Sequence, residues 1–321
     1  MNILYIIGNG FDLNLNLKTG YQHFYDHYLS IKTESPVLSA LKNHLGEKRY
    51  TKWADLEKGL GEYTENLLSI DELEEIEHDL TATLKEYLLK EQSKLVVTSD
   101  MSTSFMKHLR HPESFLAPGV ARVIEQFENK DTRHFFNFMS FNYTDSLEKL
   151  IAPSADRMPY TLDSHTHLQT IRHIHLTLSD DEFIMGVNDD SQILNKSLIC
   201  EQCRDLLVKP HMNHQLHNLI DEDCKAMIRS AHLFCLFGVS IGETDNMWWE
   251  EIGNRLIDSG TRLILFAYEN KKALHINEKI EQSRKYANLL VKRCGLEGRA
   301  DIESIRSRIY VGINTQAFKL I

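Results

Sequence analysis

The start of the chain restricts its fold most. Residues 3–7, Ile-Leu-Tyr-Ile-Ile, form an unbroken apolar run that stops at Gly8-Asn9-Gly10. A strand with one wet face would alternate polar and apolar side chains, and a helix would need more length before its first stop. A short β-branched run closed by glycines therefore predicts a strand buried on both faces, as in a parallel sheet. The next periodic segment begins near Tyr21 and carries Phe24, Tyr28 and Ile31 at helical spacing.

From residue 131 strand-like runs return, at 135–141, 173–176, 183–186, 232–237, 261–266 and 308–311. Helical segments are expected at about 245–258 and 271–293. This alternation predicts an α/β fold with a Rossmann-like doubly wound, mostly parallel sheet. Residues 36–130 differ. Trp53, Leu56, Leu60, Tyr63 and Leu67 recur every three or four positions, as do Leu73, Ile76, Leu80, Leu84 and Tyr87. Only Leu95-Val96-Val97 is strand-like there. The expected organisation is a core of residues 1–35 and 131–321 interrupted by a helical insertion at 36–130.

Composition narrows the function. The chain has 321 residues, 42% hydrophobic and 26% charged, which suits a soluble globular protein. No run approaches the roughly 18–20 apolar residues of a membrane span. The opening MNILYIIGNGFDLN lacks a basic n-region and a small-residue cleavage site, so a cytoplasmic location without membrane contact is expected. Thirty-six basic against 46 acidic residues give a net charge of −10, which opposes nucleic-acid binding through phosphate neutralisation. Five cysteines, an odd and sparse set, read as reduced thiols.

Four segments carry residues suited to chemistry. Gly8-Asn9-Gly10-Phe11-Asp12 follows the first strand, where glycines let a backbone approach a phosphate at a helix start. It is not G-x-G-x-x-G, since position 13 is Leu13, and an ordinary glycine turn is the alternative. Asn142 lies at the carboxyl end of another strand, where open α/β sheets bind ligands, and its amide both donates and accepts. Taken alone, it is better read as satisfying backbone groups at the strand end. His165, His167, His173 and His175 form a histidine-rich stretch. In a strand, His173 and His175 would share a face. One of them could serve as general base, although solvated imidazoles on a polar edge strand are the plainer reading. Gly238, Ser240, Thr244 and Asp245 follow another buried strand and suit a ribose or diphosphate contact. Thr244 or Asp245 is also expected to cap the next helix.

Other features are set aside. The lone pair Cys200/Cys203 and the spaced His211, His214 and His217 lack a zinc pattern, so no metal is expected. Acids around Trp53-Ala54-Asp55-Leu56-Glu57 read as a solvated face.

Taken in order, IIGNGFDLNLNLKTGYQHF, WADLE, SFNYTDSLE and FGVSIGETD resemble the bacteriophage abortive-infection AbiH family. That family is in turn distantly similar to sirtuin-like NAD-binding enzymes. This resemblance implies antiphage defence with NAD hydrolysis, the catalytic residues being Asn142 and His175. His173 is the reserve, because family members carry glycine after the His where this chain has Leu176. In that scheme the NAD diphosphate lies near Gly8, Asn9 and Gly10, and the adenosine half near Gly238, Ser240 and Asp245. Asn142 holds the nicotinamide ribose and orients water, while His175 accepts a proton as the bond breaks. Asp12 either steadies the ribose or caps a helix. Two other classes remain: a nucleotide-sensing module without catalysis, favoured by Leu176, and a nuclease acting in abortive infection. The partners expected are a dinucleotide ligand and a phage trigger that the sequence does not identify. The apolar faces of the insertion suit a homo-oligomer contact or internal core equally well.

Overall fold

The computed structural model describes residues 1–129, 133–151, 158–180, 183–271 and 273–320. The expected domain boundary at residues 130 and 131 lies outside the described residues. Among them, seven strands form one sheet in the order β3-β4-β2-β1-β5-β6-β7: β1 (Asn2–Ile7), β2 (His134–Ser140), β3 (Tyr160–Thr161), β4 (Thr166–His173), β5 (Leu233–Phe237), β6 (Arg262–Ala267) and β7 (Ile309–Ile313). All pairings are parallel except β3 with β4 at one edge.

The central strands are apolar throughout because both faces are covered. Ile3, Tyr5 and Ile7 of β1 join Cys235 of β5 and Ile264 of β6 in one core layer. Leu4 and Ile6 join Phe234, Leu236, Leu263 and Leu265 in the opposite layer. Period-two alternation thus divides one hydrophobic run between two cores.

The helices follow in chain order: α1 (Gly10–Asn14), α2 (Tyr21–Ser30), α3 (Pro36–Lys48), α4 (Leu56–Tyr63), α5 (Ile70–Gln92), α6 (Ser99–Arg110), α7 (Pro118–Glu128), α8 (Ser146–Ile151), α9 (Glu201–Leu207), α10 (Lys209–Gln215), α11 (Ile220–Ser230), α12 (Asn246–Leu256), α13 (Ile276–Arg293) and α14 (Ile302–Arg306). Phe105, Leu109 and Ile124 bring α6 and α7 onto the first sheet layer. Helices α11 to α14 cover the second. Helices α2 to α5 build a third core with Tyr143 and residues 178–208, so residues 36–128 divide between two packing partners. None of the described helices is long and apolar enough to cross a membrane.

Three expected strands are corrected. The strand at 173–176 is the end of β4: Ile174 donates to Ser140 O at 3.0 Å, and the chain then turns, Leu176 adopting φ +63°. Residues 183–186 are not a strand. Gly186 meets the α9 backbone too closely for a β-carbon, and Val187 alone bridges to Val208. Residues 95–97 are irregular, with Leu95 and Val97 packed against the first core layer.

Candidate active-site cleft

Registers place the ends of three strands side by side. Ile7 pairs with Ser140 of β2 and Phe237 of β5, so Gly8, Phe141 and Gly238 leave the sheet along one rim. The strand succession also changes direction at β1, with β2 on one side and β5 on the other. An open cleft of about 830 Å³, mouth included, lies over this rim. Its lining includes Gly8, Asn9, Asp12, Asn142, His175, Gly238, Ser240 and Asp245. Gly10 alone of the predicted residues does not line it. It lies one turn behind, against Gly238.

The glycines have a role the sequence did not suggest. A β-carbon on Gly8 would lie 2.6 Å from Gly238 O, and Gly238 itself sits at φ +70°. Gly8 and Gly10 donate their N–H groups to Phe237 O and Gly238 O, both at 2.9 Å. They weld the β1 and β5 loops together, and those two amides already have protein acceptors. Asn9 Oδ1 accepts from Thr19 at 2.5 Å.

Three buried polar atoms in the lining have no partner among the described residues: Asp12 Oδ1, Asn142 Oδ1 and His175 Nδ1. Such atoms are uncommon in folded proteins and call for an explanation. Asp12 does not cap a helix. It is 1% exposed, and its other oxygen accepts from Thr144 at 2.6 Å. Burial pushes its carboxyl up to about 6, against the opposing bonds from Thr144 and Ser146. The Asn142 backbone is fully engaged, its N–H donating to Ser140 Oγ at 3.2 Å and its carbonyl contacting His173 Nδ1 at 2.7 Å. Its side-chain oxygen therefore does not serve the strand end.

The two histidines separate. His173 lies behind the rim with Nε2 2.7 Å from Glu148. Burial lowers its pKa, but Glu148, the Asn142 carbonyl and Asp180 together raise it overall. His175 is 5% exposed, sits among Phe141 and Tyr143, and places Nε2 3.5 Å from Asp245 Oδ1. These buried rings replace the expected solvated pair.

Asp245 stands at the head of α12 without capping it. Its oxygen accepts from Lys209 at 2.7 Å, and Lys209 also donates to Glu57 at 2.8 Å. Burial opposes both charges. The ion pairs prevail, holding Asp245 well below and Lys209 well above their usual ranges. Thr244 does not cap either, but donates to Asp55 Oδ2 at 3.3 Å.

Asp55 and Glu57, expected on a solvated face, line the cleft. Asp55 caps α4 by accepting from the Glu57 and Lys58 amides at 3.0 and 3.1 Å. Burial and the neighbouring Glu57 push its carboxyl up to about 6. Glu57 is buried, and Tyr143 donates to it at 3.4 Å. Glu243 takes Lys58 and Arg293, both at 2.7 Å, joining α4 to the β5 loop and α13. An Asp before Leu-Glu is an N-cap pattern that sequence alone offers. The Lys209 partner was not legible. Among the described residues no group of three or more His, Cys, Asp or Glu side chains is arranged to hold a metal ion, and no cysteines pair.

Fold and site together define a mixed α/β protein whose mostly parallel sheet carries, at its strand ends, a cleft lined by carboxylates and aromatic rings. The chain belongs to the bacteriophage abortive infection AbiH family, whose model matches residues 4–289. Among curated proteins none matches it.

Proposed function

We propose that this abortive-infection protein binds a dinucleotide such as NAD in the cleft and hydrolyses its nicotinamide–ribose bond. The observation that carries this reading is the convergence of Asn142 Oδ1, His175 Nδ1 and Asp12 Oδ1, all buried and without a partner among the described residues, on one cleft. Over its six parallel strands the sheet runs β4-β2-β1-β5-β6-β7. That succession supports a Rossmann-like doubly wound fold, which binds dinucleotides where the strand order reverses.

The surroundings suit the chemistry. Breaking a nicotinamide–ribose bond builds positive charge on the sugar, as glycoside cleavage does. Asp12, Asp55, Glu57 and Asp245 line the same space and favour such a charge once ionised. Phe141, Tyr143 and Trp249 offer apolar and π surfaces to a cationic aromatic ring. In this reading Asn142 holds the ribose and orients water, and His175 takes the proton. Because the Gly8 and Gly10 amides are engaged, diphosphate contacts fall to Asn9 and the exposed Ser240. Residues 36–130 act as an insertion whose first half closes the cleft over the sheet.

Incubating the purified protein with NAD and measuring nicotinamide release tests the proposal. Release that disappears in Asn142→Ala supports it, and release that persists removes Asn142 from the chemistry. A nucleotide sensor without cleavage is the second reading. The left-handed backbone of Leu176, where family members carry glycine, favours it. Thermal stabilisation by NAD without nicotinamide release would decide for the sensor.

A further inference from the structure

Lys209 is a buried charge that the cleavage scheme leaves without a role. It is 6% exposed, comes from α10, and bridges Glu57 of α4 and Asp245 at the head of α12. Asp245 Oδ1, which accepts from Lys209, also faces His175 Nε2 at 3.5 Å. A continuous line of Glu57, Lys209, Asp245 and His175 thus runs from the helical layer to a ring in the cleft wall.

A carboxylate beside an imidazole favours the imidazolium, and an ammonium on the same oxygen opposes it. The His175 ring is also oriented, because Nε2 faces the carboxylate while Nδ1 has no partner among the described residues. We propose that Lys209 is a positioning residue that acts through Asp245, setting how strongly that carboxylate acts on the His175 ring and holding it toward Nε2, with Nδ1 left as the acceptor. The inference rests on the reading of His175 as the group that takes the proton. The titratable and charged groups around the ring are Asp245 of the α12 head, Lys209 of α10, Asp221 of α11 and Tyr143 after β2. Glu57 and Asp55 stand behind Lys209.

The test is the titration of the His175 ring by NMR in whole, histidine-labelled protein, with His175→Gln assigning the signal. Lys209→Met should raise the midpoint by about one pH unit or more, because Asp245 then acts on the ring unopposed. Asp245→Asn should lower it, because Lys209 then acts alone. Lys209→Arg should leave it near the wild-type value. A merely structural ion pair would not move the midpoint in opposite directions.

An unmoved midpoint in Asp245→Asn, or an unmoved or lowered one in Lys209→Met, overturns the proposal. Where Lys209→Met does not fold, the Asp245→Asn and Lys209→Arg arms decide it. The titration needs no turnover. Opposite shifts with intact NAD would sink the cleavage reading and leave only the coupling of Lys209 and Asp245 to the ring. Cleaved NAD with unmoved midpoints would sink this inference and spare the cleavage reading.

Discussion

Gly10 and Gly238 are in backbone contact: a β-carbon on Gly10 would lie 2.6 Å from the Gly238 Cα, and the Gly10 amide donates to the Gly238 carbonyl at 2.9 Å. Two loops more than two hundred residues apart are thereby fused at the base of the cleft.

Gly10→Ala should therefore destabilise the protein by about 1–3 kcal/mol, since backbone has to give way. Gly238→Ala adds a left-handed φ to the crowding and should cost more. Denaturant unfolding of both variants measures this. Wild-type stability in Gly10→Ala would show that the loops do not need the contact.

On the proposed cleavage reading, Asn142→Ala should lower nicotinamide release by roughly 10²–10⁴-fold without removing NAD binding. Its stability should stay within about 0.5 kcal/mol of wild type or rise, because the substitution removes a buried oxygen that has no partner among the described residues. A large loss of stability would instead make Asn142 a structural residue.

Asp12 predicts a pH signature. Its folded pKa, about 6, lies above the unfolded carboxyl value, so the folded state binds the extra proton between about pH 4 and 6. The stability this contributes is full below the unfolded value and is lost as pH rises through about 6. Asp12→Asn should remove that loss and gain on the order of 2–3 kcal/mol relative to wild type at pH 7. Comparing both proteins by urea unfolding at pH 4 and pH 7 checks the sign.

Leu176 occupies a left-handed backbone conformation that costs a side-chain-bearing residue roughly 1–2 kcal/mol. Leu176→Gly should be close to neutral in stability, with relief of strain set against lost packing and glycine entropy. Leu176→Val, with a stiff branched side chain at the same φ, should be clearly less stable. If cleavage is limited by how this turn holds His175, nicotinamide release should rise in Leu176→Gly. Equal melting temperatures for the glycine and valine variants would contradict the strain argument.

Much of the sheet was legible because burial on two faces produces unbroken apolar runs. β1, β5 and β6 stand out for that reason. β4 does not: Thr166 to Arg172 is a polar sequence near the sheet edge, and only its last residue was anticipated. The rim loops were legible through Gly8, Asn142 and Ser240, residues that suit strand exits. Glu57 was misjudged because its charge is answered by Lys209, 152 positions later, and a lone acid on a helix gives no sign of a distant ammonium. The histidines differ from the expected pair for a similar reason, since β4 ends at His173 and the turn at Ile174 and His175 breaks the alternation.

The Glu57–Lys209–Asp245 bridge constrains how the cleft can move. Neither carboxylate can swing aside without leaving Lys209 a single partner in a nearly dry interior, so the bridge resists any change in the spacing between α4 and the loop behind β5. On the proposed reading, a molecule entering the cleft would meet walls already held at that spacing, and shape would decide its fit.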